Sequence, residues 1–462
     1  MSNYLLLLYA FILCFFAGCQ TSKKKPDPVK EVKETVKVEN FNKRSYRWLQ
    51  SKGDSFKINK NWWTALGDPK LNELIDKVVA QNLDLQIMTE RLKLASVAVK
   101  EAKVQKDPRL SFDAGGQVNK ADGLGTSKQF TAAASAGWEI DIWGRISKMT
   151  NSQLAEYKAT EADWRSAYLQ TIKQLTDSYF TLRQLDEQLE LHNEALSYAR
   201  SLLKIYTVRV KNKIEDDANK SRQEAEVLRL ESELLDINKQ RLLQENQINI
   251  LLGKAPGAVK LKSKALRKSV KPVNFPNDIS LNLLERRPDI VAAELRVQSD
   301  FQLVESTEVA RLPRVSLGLS ANLANESITN LLTGWTAALL PKVSFPSLDP
   351  QTKLNIEKAG INLEITKKQY FDTVNKAIAD VEKSLLNKQT NDKRIEIEKK
   401  RLVLLENAHK KIVVKEREGL ISSLELLQSQ QQLLSTKQQI LAYYAQQMQD
   451  TVAIYNALGG GW

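Results

Sequence analysis

Two stretches of 108 residues, Arg145–Leu252 and Gln351–Leu458, dominate the sequence. The first holds neither Gly nor Pro; the second has no Pro and only Gly360 and Gly419. Gly144 and Pro350 precede them, Gly253 and Gly459 close them, and each landmark recurs at an offset of 206 residues. Gly and Pro are the strongest breakers of helical pattern, so stretches this long without them predict helix. One straight helix of that length would run roughly 160 Å at 1.5 Å per residue. A helical hairpin in each stretch is the better expectation, and the chain then consists of two copies of one unit.

The polar run Lys211–Asp217 is the expected reversal point of the first hairpin. Its return helix carries Val227, Leu230, Leu234 and Ile237 at the 3-4-3 spacing of coiled-coil packing. In the second copy Leu424, Leu427, Gln431, Leu434, Gln438, Leu441, Ala445, Met448, Val452 and Tyr455 keep strict 3-4 spacing, a seam relieved by two Gln. Beside it runs a polar stripe: Glu425, Gln428, Gln432, Ser435, Gln439, Gln446 and Gln449. Such a stripe faces water, either as an outer surface or as the lining of a water-filled lumen.

Ahead of each helical stretch the period changes. Leu71, Leu74, Ile75, Val78 and Val79 predict a helix over Leu71–Lys106, stopped by Asp107-Pro108. Then Leu110, Phe112, Ala114, Gly116 and Val118 alternate with polar or small residues, as do Phe130 through Ile142. Val315, Leu317, Leu319, Ala321 and Leu323, then Trp335 through Phe345, repeat the pattern. Period two predicts β-hairpins over 109–143 and 314–346. Pro341 predicts a bulge or strand end. Four amphipathic strands pose a problem if they face lipid, because hydrocarbon does not tolerate unpaired sheet edges. Membrane barrels begin at about eight strands. Several chains must then share one barrel; three chains give twelve strands, and four would close as well.

The remaining regions are simpler. Residues 1–18 read as a signal peptide, their apolar run being shorter than the ~20 residues of a spanning helix. Residues 19–60 form a Lys-, Glu- and Pro-containing tether. The first repeat covers 61–253, a Lys- and Pro-rich linker midway along the molecule covers 254–278, and the second repeat covers 279–462. The formal charge of +13 comes from lysines spread along the chain, without the aromatic-interleaved patch of a nucleic-acid binder. The only cysteines, Cys14 and Cys19, exclude a disulfide framework in the mature chain. His192 and His409 lie in helical stretches without a second ligand type nearby. With no phosphate loop, metal spacing or nucleophile motif, the chain is expected to be no enzyme and to need no cofactor or metal.

Several segments carry a family resemblance. They are Trp138-Glu139-Ile140-Asp141-Ile142-Trp143-Gly144-Arg145, Glu285-Arg286-Arg287-Pro288-Asp289-Ile290, Leu312-Pro313-Arg314 and Tyr455 through Trp462. Ala17-Gly18-Cys19 resembles a bacterial lipobox, which makes Cys19 the lipidated residue; Gln20 after it favours the outer membrane by analogy. From about Trp62 onward the chain resembles the TolC-like outer membrane efflux proteins, in their lipoprotein (OprM/NodT-type) branch. The resemblance implies a mainly α protein with a membrane β part. Three chains would share a 12-stranded β-barrel continued by a long periplasmic α-helical barrel, anchored to and spanning the outer membrane, with most of the mass in the periplasm. It implies a passive exit duct of the kind involved in multidrug resistance, served by a periplasmic adaptor and an inner-membrane pump of the resistance-nodulation-division type.

The resemblance also assigns sites. The periplasmic gate would fall on Leu424 and Glu425, with Gln428 standing neutral where a further acid is common. Lys415, Gly419 and Ser422 match the family's second hairpin turn. In the first turn Arg209 matches the basic position, but Lys213 replaces the expected Gly, and these tips would contact the adaptor. The alternatives are a periplasmic coiled-coil adaptor or scaffold lipoprotein, and the outer membrane duct of an ATP-driven (type I) secretion system.

Overall fold

The computed structural model describes residues 61–121, 125–214, 216–257, 286–346 and 349–460, with Asp27, Pro28 and Lys30. The signal peptide, Cys19, nearly all of the tether and most of the 254–278 linker lie outside the described residues. A 3-10 helix, Trp62–Leu66, opens the folded part and buries both tryptophans. Two helices follow, α1 (Pro69–Gln81) and α2 (Leu83–Val104). The single helix expected over Leu71–Lys106 is therefore broken at Asn82. Its extended backbone interrupts the helix, and its Oδ1 accepts from the Leu85 N–H at 3.0 Å to cap α2. Apolar periodicity runs on through such a cap and does not reveal it.

The strands are β1 (Arg109–Ala121), β2 (Gly125–Ile140), β3 (Arg314–Asn325) and β4 (Trp335–Ser344). They form one antiparallel sheet in the order β1-β2-β3-β4, so β1 and β4 are its open edges. Register sorts the faces. Phe112, Ala134, Ala321 and Ala337 align across the sheet, as do Leu110, Ala136, Leu319 and Leu339. The opposite face aligns Ser111, Ser135 and Ser320, and Asp113 with Ala133, Asn322 and Thr336. The bulge or strand end expected at Pro341 is absent: Pro341 pairs with Leu317 in unbroken register. An edge strand tolerates Pro because one side of it has no ladder within the chain.

The helical stretches fold back as expected, but unequally. The first comprises α3 (Arg145–Lys211, 67 residues) and α4 (Asp217–Leu251, 35 residues). After α5 (Pro288–Val309) and the second strand pair, the other comprises α6 (Pro350–Arg417, 68 residues) and α7 (Ser423–Ala457, 35 residues). Each long helix spans about 100 Å and outruns its short partner. Two end-to-end joints fill the difference. Asn82 donates from Nδ2 to the Leu251 carbonyl at 2.9 Å, seating α2 on the end of α4. Arg287, the residue before α5, donates from Nη1 to the Ala457 carbonyl at 3.0 Å and seats α5 on the end of α7. Orphan carbonyls at two helix ends are thereby satisfied. The result is four parallel staves, with α3 and α7 inside the strip, α4 on one flank and α6 on the other.

The core is densest at the waist, where the 3-10 helix and α1 pack on α3, α4 and α7 through Trp62, Leu71, Ile75, Phe180, Ile248, Val452 and others. Trp62 stacks on Tyr455 with ring centroids 4.6 Å apart. A second cluster joins α5, α6 and the end of α7. Toward the hairpin turns, among the described residues, the buried cluster shrinks to Leu196, Ala199, Val227 and Leu230.

Candidate functional site

The two hairpin turns reuse one hydrogen-bond pattern. In the first, Lys213 donates to the Val210 carbonyl and Ile214 to that of Arg209, both at 2.9 Å. In the second, Gly419 donates to the Glu416 carbonyl at 3.0 Å and Leu420 to that of Lys415 at 2.8 Å. Both turns require a left-handed residue: Gly419 has φ 73 and Lys213 φ 59. Beyond the turns, Asp216 and Ser422 occupy the N-cap positions. Asp216 Oδ1 accepts from the Ala218 N–H at 3.2 Å, whereas the Ser422 side chain caps nothing.

Leu424, Glu425 and Gln428 share an exposed face of the first turns of α7, while the intervening Leu426 is buried. Leu424 is 40% exposed beside the Glu425 carboxylate at the start of a 35-residue helix. Glu425 also sits in the first turn, where the helix dipole favours negative charge. Structure thus brings Lys415, Gly419, Ser422, Leu424, Glu425 and Gln428 to one tip, and Arg209 and Lys213 to the other.

A tie between the tips escaped the sequence reading. Arg209 Nη1 lies 3.0 Å from Glu416 Oε1, the Tyr206 hydroxyl donates to the same oxygen at 3.4 Å, and the guanidinium stands 5.9 Å from the Tyr206 ring centroid. Tyr206 and Arg209 are one turn apart on α3, which was a visible signal; Glu416, on α6, was not. The polar positions in the α7 seam also find partners on the first hairpin. Gln431 donates to Glu226 at 2.8 Å, and Gln438 meets His192 Nε2 at 2.8 Å. They fix the register between hairpins, as single polar seam residues do. His409 pairs with Ser429 Oγ at 3.0 Å, and burial together with Lys437 lowers its pKa. The polar stripe beside the seam is exposed from Glu425 to Gln446; Gln449 instead donates to Thr181 Oγ1 and the Asp177 carbonyl.

The waist holds a buried polar knot. Arg183 Nη1 reaches Asp68 Oδ2 at 2.6 Å, and the Tyr179 hydroxyl donates to the same oxygen at 2.9 Å. Asp68 Oδ1 meanwhile caps α1, accepting from the N–H groups of Lys70 and Leu71. Burial, then the neighbouring Asp68 charge, pushes the Tyr179 hydroxyl pKa far up. Nearby, burial raises the carboxyls of Asp177 and Asp450.

Between sheet and helices lies a third constellation. Trp138 Nε1 donates to the Lys106 carbonyl and Trp143 Nε1 to that of Pro313, each at 2.8 Å. Asp141 caps α3, accepting from the Ile146 and Ser147 N–H groups at 3.0 and 2.9 Å. Arg145 forks onto both oxygens of Glu139. The motif Trp138–Arg145 is therefore a strand-to-helix joint. Among the described residues no cluster suits a metal ion and no helix is long and apolar enough to cross a membrane.

Comparison with known proteins agrees with this architecture. The family described as "Outer membrane efflux protein" matches residues 74–254 and 280–460. The cation efflux system protein CusC of Escherichia coli O157:H7 is 25% identical over 431 residues, covering 90% of this chain and 92% of that protein. The solvent efflux pump outer membrane protein SrpC of Pseudomonas putida is 27% identical over 418 residues, covering 86% of each. The solved structure of the Campylobacter jejuni CmeC outer membrane channel superposes with a TM-score of 0.80 at 18% identity, covering 89% of this chain and 90% of that one.

Proposed function

This chain belongs to the outer membrane efflux protein family, and we propose that three copies form the exit duct of a tripartite efflux system. An inner-membrane pump of the resistance-nodulation-division type supplies the energy, and a periplasmic adaptor joins it to the hairpin tips. Cys19 carries the lipid anchor. The cargo is set by the pump, as befits a family whose members are named for cations, solvents and pyoverdine.

The observation that carries this reading is the open strip. The edges β1 and β4 have no partner strand among the described residues, and the flanking helices expose apolar stripes beneath them. These are Leu83, Ile87 and Leu94 on α2, Leu228, Leu235 and Leu242 on α4, and Leu354, Ile361, Ile397 and Leu404 on α6. The left and right edges differ, so copies associate head to tail, an interface that forms a ring when the rotation between copies closes. In hydrocarbon each unpaired backbone group costs several kcal/mol, which makes closure of the sheet obligatory. The apolar face, with Phe112, Trp335 and Leu339 exposed, then meets lipid, and the Ser-, Asn- and Asp-bearing face meets water.

Leu424 and Glu425 form the resting gate where three tips converge. Two measurements test the proposal. A crosslinking ladder on membrane fractions should end at three chains; a soluble monomer defeats the duct. In planar bilayers the double variant L424S/E425S should conduct several-fold more than the parent, and unchanged conductance removes the gate.

A further inference from the structure

The sheet face opposite the apolar one carries a basic hollow at its helix end. Register places Arg109 opposite Gly137, Gly137 opposite Gly318, and Gly318 opposite Leu340. One residue pair nearer the helices, Glu139, Ser316 and Lys342 align on the same face. The two glycines remove side chains from the middle of the row, and a Cβ at Gly137 would meet nothing within 4 Å. What results is a cavity of about 520 Å³, walled by Arg109, Arg145, Glu139 and Lys342. Glu139 is already held by Arg145, at 2.9 and 3.0 Å from Nη2. Arg109 and Lys342 have no ion-pair partner among the described residues. Asp107 is the other carboxylate of the lining, so three cations face two acids. Leu340, 56% exposed, lends an apolar surface beside them.

We propose that this hollow is a transit site for amphipathic organic anions. A carboxylate or phosphate sits between Arg109 and Lys342, and its apolar body lies over the glycine floor against Leu340. The inference rests on the duct reading, which makes this face the lumen. Glycines inside a strand mark a close approach of something other than a side chain. Cations left unneutralised in a walled cleft focus the field on incoming anions, and charge-assisted hydrogen bonds to an oxyanion are the stronger kind. The cleft is open on one side, which suits passage: binding must favour entry yet permit exit.

The test uses the full-length protein in lipid nanodiscs, with 1-naphthoate, 1-naphthyl phosphate and the cation 1-naphthylmethylamine as probes in equilibrium dialysis. Both anions should bind, the amine should not, and the two anion arms tell which oxyanion fits better. R109Q/K342Q should weaken anion binding at least tenfold. G137L fills the floor, leaves every charge in place and should weaken it comparably. If either variant fails to assemble, K342Q alone, on an edge strand, should still weaken binding about threefold. Amine binding equal to that of the anions, or anion binding indifferent to these substitutions, overturns the proposal. Conductance of L424S/E425S separates the two levels. A conducting channel without naphthoate binding removes this site alone, whereas a channel that never conducts removes the duct and leaves the binding result to judge the hollow.

Discussion

The waist and the tips of the same helices are built on opposite terms. At the waist nineteen buried apolar residues from five segments surround a fully buried Arg183 paired with Asp68. At the tips four buried residues form the last cluster, and beyond it a partly buried ion pair, Arg209–Glu416, with the Tyr206 hydroxyl on the same carboxylate, joins the two hairpins. Helices rigid at one end and lightly tied at the other can part only at the tied end. Local opening free energy follows contact density and burial, so conformational change belongs to the tips and the waist serves as their fixed clamp.

The largest effect expected from this contrast is at the waist. Asp68→Ala removes a counter-ion from the buried Arg183 guanidinium and strips the Tyr179 hydroxyl of its acceptor. Breaking one partner of a buried pair costs about 3–5 kcal/mol, and losing the α1 cap adds about 1 kcal/mol. Arg209→Ala at the tip should cost less than about 1 kcal/mol, the ordinary range for a partly exposed pair. Chemical denaturation of the detergent-solubilised protein measures both. Comparable losses for the two substitutions would break the contrast.

Much of this arrangement was legible beforehand because repetition and period survive in the sequence. The reversal at Lys211–Asp217, both strand pairs and the 206-residue offset follow from local composition. The break at Asn82 was not legible, since a single polar residue within a continuing apolar stripe looks like helix surface. Pro341 misled for a related reason: its meaning depends on whether its strand lies at an edge, which only the sheet order decides. At the candidate site, Leu424, Glu425 and Gln428 were named through the family resemblance, and they share an exposed face at the start of α7. Glu416 was not, because its partner Arg209 is 207 residues away and no local spacing connects them.

The two tips differ from one another by smaller amounts, and their caps come next in size. Asp216 accepts a hydrogen bond from Ala218 N–H, while Ser422 holds the equivalent position with its hydroxyl uninvolved. Asp216→Ala should therefore cost about 1 kcal/mol of tip stability. Ser422→Ala should change it by only a few tenths, since no cap is lost. Amide hydrogen exchange in the first turns of α4 and α7 reads this directly: faster exchange after Asp216→Ala, little change after Ser422→Ala. Equal acceleration at both tips would mean that Ser422 caps its helix in solution.

The smallest effect is the most informative about function. Lys213 adopts a left-handed backbone where the other turn has Gly419. For a residue with a Cβ that conformation costs roughly 1–2 kcal/mol, while Gly loses about 0.5–1 kcal/mol more entropy on folding. Lys213→Gly should therefore stabilise the first turn by a net of about half a kcal/mol, seen as slower exchange of the Lys213 and Ile214 amides. A strained residue that could be relieved by one substitution persists where its side chain is needed. If Lys213 reaches the adaptor, the stabilised variant exports less and is crosslinked to the adaptor less efficiently than the parent. If instead export and crosslinking are unchanged while the turn is stabilised, the two tips differ in sequence only and the adaptor reads neither lysine nor glycine there.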